Sequence, residues 1–157
     1  MVIQRWQTVM LLISCIMMGI FTFISLGQIQ TADYSFVITS LGIFREGVAT
    51  AEGEPTGSST IYLFIDSVLS FVLPLIGIFC FKNMKLQKNL VIFSILTLAT
   101  AGVLAVITAS SFAADVDGST HWSVFIATPI VALVADLLAY RMICSDQKKL
   151  RAADRLR

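Results

Sequence analysis

The chain has 157 residues, of which 57% are hydrophobic and 13% are charged, with a net charge of +1 and a mean hydropathy of +0.86. A soluble domain has roughly a quarter of its residues charged, and it could not cover this much apolar surface. The composition therefore excludes an ordinary soluble domain and indicates a membrane protein. No folded basic domain with an aromatic platform accompanies the basic residues, so nucleic acid is not an expected partner.

Four apolar segments are long enough to cross a hydrocarbon core, which needs about 20 helical residues. They are residues 8–26, 60–81, 89–110 and 122–144. They predict an all-α membrane protein, a four-transmembrane-helix bundle forming a single membrane domain over residues 1–157. The apolar stretch of the first segment is longer than the about 7 to 15 residues of a signal-peptide core, so we expect this span to be retained.

The segment between the first two spans, residues 27–59, is the only sizeable part outside the predicted membrane region. Its residues 34–39 alternate in a period-2 pattern rich in β-formers, and Gly42 and Gly47 offer turns near residues 43–45. These features predict a small antiparallel β element in the first outward loop. Residues 51–59 are rich in Gly, Pro, Ser and Glu, which is typical of a mobile connector.

The second outward loop, residues 111–121, is short and acidic. It contains His121, the only histidine, which beside Trp122 is more typical of a membrane interface than of a ligand site. The outward loops contain none of the three cysteines, so a disulfide cannot staple them. No metal site, cofactor or catalytic motif is expected from these residues.

The tail, residues 145–157, follows the fourth span and can continue it as a basic helix along the membrane surface. Each Lys or Arg near an anionic lipid contributes on the order of 1 kcal/mol, so anionic lipids are expected partners of this tail. A plain topology anchor and a docking tail for a protein partner both remain open.

The basic residues are concentrated before the first span, between the second and third spans, and at and after the end of the fourth span. Ten of the eleven fall there: Arg5, Lys82, Lys85, Lys88, Arg141, Lys148, Lys149, Arg151, Arg155 and Arg157. The opposite side carries six acids against a lone Arg45. The positive-inside rule therefore predicts a multi-pass protein with both termini in the cytoplasm.

Small residues recur at helical spacing in three spans, which is typical of helices that pack closely in lipid. The stripes are Ser67, Ser70, Pro74 and Gly77; Ser94, Thr97, Ala101, Ala105 and Thr108; and Thr128, Ala132, Ala135 and Ala139. They predict a close-packed bundle. Pro74 and Pro129 remove backbone hydrogen bonds and predict mild kinks in spans two and four.

Two acids inside the spans, Asp66 and Asp136, are the sharpest candidates for function, because an intramembrane carboxyl group is costly. In a structural interpretation, each carboxyl accepts hydrogen bonds from hydroxyl groups at its own level. The expected partners are Thr22 and Thr108 for Asp66, and Ser14 and Ser94 for Asp136. In a functional interpretation, the two acids are stations of a proton or cation path.

Three motifs carry a resemblance that covers the whole chain. They are residues 3–8 (IQRWQT), residues 81–87 (FKNMKLQ) and residues 151–157 (RAADRLR). The chain resembles an uncharacterised bacterial family described as domain of unknown function 4293, although Met84 stands where a basic residue is expected.

The resemblance implies four spans, a longer first outward loop and a location in the bacterial inner (cytoplasmic) membrane. It also implies a polar cluster at the cytoplasmic face. The members of that cluster are Gln4, Arg5, Lys82, Asn83, Gln87, Asp154 and Arg155. The topology also resembles that of claudin-like proteins, but the paired cysteines of the claudin first loop are missing.

Two functions remain as hypotheses. The first is a non-catalytic accessory or assembly subunit, acting through contacts with a membrane-protein partner or in a homo-oligomer. The second is a small transporter or proton-linked channel that uses Asp66 and Asp136. A membrane-embedded enzyme is not expected, because one histidine without a partner supplies neither an activated nucleophile nor a metal site.

Overall fold

The structure, a computed structural model, describes residues 2–32, 35–46, 59–80 and 83–155. Side chains are described for residues 6–32, 35–46, 59–80 and 83–149 and for Ala152. Its four long helices are α1 (Val2–Phe23), α2 (Ile61–Phe79), α3 (Met84–Asp115) and α4 (Thr128–Arg155). All four are long and apolar enough to cross a membrane.

The helices form a bundle in which successive helices run in opposite directions. Helix α1 packs along α2 and α4, and α3 packs along the same two helices. We call the end of the bundle that carries the chain termini the terminal end. We call the opposite end the sheet end, because a four-stranded β-sheet lies there.

Several helix boundaries differ from the predicted spans. Helix α1 ends at Phe23, and the backbone N–H of Leu26 already donates to the carbonyl of Ile38 in the sheet. Helix α3 is longer than residues 89–110 at both ends. Trp122 lies in a strand, and a 3-10 helix, Val124–Ala127, precedes α4.

The two prolines have different consequences. Pro74 lies inside α2, as the sequence predicts. Pro129 is the second residue of α4, so the predicted kink within span four is wrong. A proline is accommodated in the first turn of a helix, because the N–H that it lacks would have no helical partner there.

Helix α4 continues without a break through the basic tail to Arg155, so the tail extends span four as a helix. Its course along the membrane surface stays a prediction. A helix rises 1.5 Å per residue, so 28 residues extend for about 42 Å, against a hydrocarbon core of about 30 Å. The last turns of α4 therefore project beyond the apolar part of the bundle at the terminal end.

The sheet contains strands from both loops at the sheet end, the loop between α1 and α2 and the loop between α3 and α4. Its strands are β1 (Gly27–Gln30), β2 (Ser35–Ile38), β3 (Ile43–Glu46) and β4 (Ser119–Trp122), and all pairings in the order β3-β2-β1-β4 are antiparallel. The predicted β element in the first outward loop is confirmed. The fourth strand comes from the second loop and was not predicted.

The two faces of the sheet differ in burial. Ile29, Phe36, Ile38 and Ile43 are buried and join the apolar core at the ends of the helices. The ring of Phe36 meets that of Phe112 on α3 edge to face, with the ring centroids 5.2 Å apart. The sheet is therefore part of the folded core.

The turn in the first loop lies earlier than predicted. Residues 43–45 belong to β3, and the turn is formed by Thr39 and Gly42, where the N–H of Thr39 donates to the carbonyl of Gly42. Gly47 and all of the predicted connector, residues 51–59, except Ser59 lie outside the described residues. Ser59 forms an isolated antiparallel bridge with Gly42, so this end of the connector is attached to the sheet.

The predicted small-residue stripes face the interior. The four stripe residues of α2 and the four of α4 are all buried. In α3, Ser94, Ala101 and Ala105 are buried, and Thr97 and Thr108 are half-buried. This burial confirms the prediction of a closely packed bundle.

Candidate functional site

Asp136 lies in the centre of the bundle and is completely buried, with 0% of its surface exposed. Its Oδ2 accepts a hydrogen bond of 2.5 Å from the hydroxyl of Ser94 on α3. Ser14 on α1 faces the same carboxyl group. The predicted neighbours of Asp136 are therefore both present, one on each of the two helices that pack against α4.

This polar layer separates two apolar clusters. Toward the sheet end, one cluster contains Met18, Leu98 and Ala132. Toward the terminal end, the other contains Leu11 and Val91, together with Ala139 and Ile143. Asp136, Ser14 and Ser94 lie between these clusters on their respective helices, so the carboxyl group is surrounded by apolar packing above and below.

Asp66 has a different environment, at the seam between α2 and α3. It is half-buried, and its Oδ2 accepts a hydrogen bond of 2.9 Å from the hydroxyl of Thr100. The predicted partners are wrong: Thr22 donates to the carbonyl of Met18, and Thr108 pairs with the hydroxyl of Tyr62. The observed donor, Thr100, lies eight residues before the predicted Thr108 on α3, which corresponds to about 12 Å along the helix axis, so the predicted depth of Asp66 relative to α3 is wrong by about two turns.

Asp66 on α2 and Asp136 on α4 both accept hydrogen bonds from α3, but the two carboxyl groups do not meet. Thr100 and Ser94, their respective partners, are six residues apart on α3, which corresponds to about 9 Å along the helix axis. Thr97 lies between them and donates to the carbonyls of Phe93 and Ser94. Asp66 and Asp136 therefore occupy two separate polar sites along one helix.

The predicted polar cluster is described only in part. The side chains of Gln4, Arg5, Lys82, Asp154 and Arg155 lie outside the described residues. Both described members, Asn83 and Gln87, lie at the terminal end. Asn83 caps α3 by accepting from the N–H of Leu86, and buried Gln87 donates to the carbonyl of Gly77 on α2, at 3.1 Å.

Two further bridges at the terminal end were missed by sequence reasoning. Gln7 on α1 donates through Nε2 to Oδ2 of Asp146 on α4, at 2.5 Å, and both residues are buried. Gln147 donates to the carbonyl of Met84 on α3, at 2.9 Å. Asp146 and Gln147 directly precede Lys148 and Lys149, so the sequence predicts that they belong to the basic tail and not to the bundle. The available signal was Gln7, a polar residue directly before the predicted first span that lies one helical turn from the buried Leu11.

The single histidine lies on the exposed side of β4. Its Nε2 is 3.5 Å from the hydroxyl of Ser119, and both residues are exposed. Within the described part of the chain, no group of three or more His, Cys, Asp and Glu side chains is arranged to hold a metal ion.

A groove of about 620 Å³ opens between α3 and α4, from the middle of the bundle toward the sheet end. Gly102 and Pro129 line it from the two helices, and Trp122 lies at its sheet end. Every other lining side chain is aliphatic, so the groove accepts apolar groups and offers one hydrogen-bond donor, the indole N–H of Trp122.

A family model described as Domain of unknown function (DUF4293) matches residues 3–156 of this chain. A comparison with curated proteins found no match. The match confirms the resemblance that the three sequence motifs indicate, and together with the four apolar helices it suggests a membrane protein. The match covers nearly the whole chain, and the chain therefore belongs to the DUF4293 family.

Proposed function

We propose that this chain is a non-catalytic, multi-pass inner-membrane protein, with its terminal end in the cytoplasm, that acts as an accessory or assembly subunit. The distribution of basic residues supports the orientation, because Lys85, Lys88 and Arg141 lie toward the terminal end while the acidic Asp115 and Asp117 lie toward the sheet end. The observation that carries the proposed role is the outer face of the sheet.

The outer face consists of two rows of side chains that point away from the bundle. The register places Phe44, Val37, Gln28 and His121 in one row, and Glu46, Ser35, Gln30 and Ser119 in the other. The face is thus mixed in character, with an apolar pair at the β3 side and polar side chains across β1 and β4. Phe44 is 48% exposed, although the sheet has a core face available for aromatic side chains.

One face of the sheet packs on the helix ends, and the other face carries both apolar and polar side chains. Such an outer face is suited to contact with a protein. Interfaces place apolar and aromatic side chains at their centre and hydrogen-bonding side chains around them. The partner we propose for this face is the outward region of another membrane protein, since the sheet lies directly above the helices.

The experiment is a purification from native membranes in mild detergent with a tag after Arg157, followed by quantitative mass spectrometry. Wild type is compared with Phe44→Ser on the outer face. The matched control is Leu41→Ser, which removes a similarly exposed apolar side chain, 51% exposed, from the neighbouring turn. A partner at fixed stoichiometry that is lost only with Phe44→Ser supports the proposal, and recovery of the chain alone contradicts it.

A second candidate function, a small transporter or proton-linked channel, is favoured by a different observation. Asp66 and Asp136 both bond to hydroxyl groups of α3, about 9 Å apart along that helix. Acidic side chains inside the membrane are a recurring feature of proton and ion paths. Proton and ion flux into proteoliposomes tests this directly. Flux that disappears in an Asp66→Asn, Asp136→Asn variant supports transport, and unchanged flux contradicts it.

A further inference from the structure

The hydrogen bonds around Asp136 are incomplete. Oδ2 accepts from Ser94, but Oδ1 of Asp136 and Oγ of Ser14 are both buried without a hydrogen-bond partner. Ser14 nevertheless faces this carboxyl group from α1. Two polar atoms of adjacent side chains are thus left unpaired in the interior, where an unmet donor or acceptor is costly.

The charges around Asp136 are also incomplete. The polar groups that face it from the packed helices are Ser14 and the Cys15 thiol on α1, and Ser94 on α3. None of these carries a positive charge. Lys88 on α3 has its amino group 5.6 Å from the centre of the Tyr140 ring, which lies one turn of α4 beyond Asp136 toward the terminal end.

An ionised carboxyl group in this position would be a buried charge without a counter-charge. Such a group costs several kcal/mol or more in an apolar interior, and proteins avoid the cost by pairing or neutralising it. A proton is the smallest neutralising ligand and needs no additional volume. It also converts one carboxyl oxygen from an acceptor into a donor.

We propose that Asp136 is a proton-binding site: its carboxyl group is held as the neutral acid, with the O–H on Oδ1 directed toward Oγ of Ser14. A hydrogen bond from Ser14 to an ionised Oδ1 would pair the same two atoms but leave the charge buried, whereas one bound proton pairs them and also removes the charge. The neutral acid then joins three helices, accepting from α3 and donating to α1. This inference is independent of the proposed accessory role and of any partner at the sheet.

Infrared spectroscopy of the full chain in lipid nanodiscs tests the proposal, because a protonated carboxyl group has a C=O stretching band that a carboxylate lacks. We expect this band in wild type at neutral and mildly alkaline pH. It should be absent from Asp136→Asn and retained in Asp66→Asn, which is the matched control for an acid at a more exposed position.

Two additional variants keep the test decisive if Asp136→Asn does not fold. Ser14→Ala and Ser94→Ala retain the carboxyl group and remove one hydrogen-bond partner each, so both should shift the C=O band of the acid. A wild-type spectrum without the band would overturn the proposal. So would a band that neither serine substitution shifts, or a carboxylate band at this residue that depends on Na⁺, which would indicate a bound metal cation.

Discussion

Gln7 on α1 and Asp146 on α4 lie almost at opposite ends of the chain, yet their side chains form a buried hydrogen bond of 2.5 Å from Nε2 to Oδ2. The bond fixes the first helix to the last at the terminal end, close to the point where both helices leave the apolar core. Among the described residues, two other glutamine side chains bridge helices there, Gln87 to Gly77 and Gln147 to Met84.

Gln7→Ala should lower the free energy of unfolding by roughly 1–3 kcal/mol, because it leaves the buried Asp146 carboxyl group without its donor. The double variant Gln7→Leu, Asp146→Leu should recover part of this loss, since neither polar group is then left unpaired. The measurement is reversible unfolding in mixed micelles, with the exposed Lys148→Ala as control. Equal losses in Gln7→Ala and Lys148→Ala would contradict a specific bridge.

The same bridge determines where the tail can be shortened. Ending the chain after Lys149 keeps Asp146 and Gln147, whereas ending it after Ser145 removes their contacts with α1 and α3. The shorter form should therefore lose at least about 1–3 kcal/mol of stability. The full-length variant Asp146→Ala, Gln147→Ala should reproduce that loss in the same unfolding assay. If it does not, the tail stabilises the bundle by another route.

Gly27→Ala should disrupt the pairing of β1 with β4. A Cβ atom at Gly27 would lie 2.7 Å from the carbonyl oxygen of His121, which is too close without a shift of the backbone. Inserting a methyl group at such a site costs typically 1–3 kcal/mol. Hydrogen exchange of the amides in Ser119–Trp122 should become faster in this variant.

Gly19→Ala is the matched control for that experiment. There the added Cβ would lie 3.6 Å from the ring of Phe71, an ordinary contact, and the position is inside α1. Alanine forms helix better than glycine by about 1 kcal/mol, so Gly19→Ala should leave the sheet unchanged and should not destabilise the chain. Exchange that is equally fast in both variants would show that the close approach at Gly27 is not what limits the sheet.

Thr100→Val should weaken the contact between α2 and α3 by removing the donor to Asp66. Hydrogen bonds between helices in membranes contribute about 0.6 kcal/mol on average, with a maximum near 1.7, so the expected loss lies in that range. Thr97→Val is a close control, because its hydroxyl bonds only to carbonyls of its own helix. A double-mutant cycle of Asp66→Asn and Thr100→Val measures the interaction free energy between the two side chains. An interaction free energy of zero would contradict the hydrogen bond.

The helices and much of their packing are predictable from the sequence, because hydropathy and the spacing of small residues are both contained within a single segment of the chain. Ser70, Gly77, Ala132 and Ala139 are all buried as their spacing predicts. The strand β2 is predictable for the same reason, since Phe36 and Ile38 alternate with less buried neighbours.

The fourth strand and the amide bridges could not be predicted in this way, since each depends on a partner far along the chain. The strand β4 has only four residues and no alternating burial, and it exists because β1 offers a free edge. The tight turn before it requires Asp117 at a positive φ of 50° and Gly118 against the side chain of Ile29. In the sequence, Asp146 is one acidic residue in a basic tail. Its contact with Gln7 appears only in the folded structure.

The strand order β3-β2-β1-β4 has a consequence for the order of events during synthesis. A chain made from its N-terminus has β1, β2 and β3 available as soon as the first helical pair is complete. The edge of β1 then stays open until α3 has been made and β4 emerges behind it. An open strand edge invites pairing with another chain, so a half-made molecule exposes a binding edge that the finished one has closed. The last strand added thus marks the completion of the second helical pair.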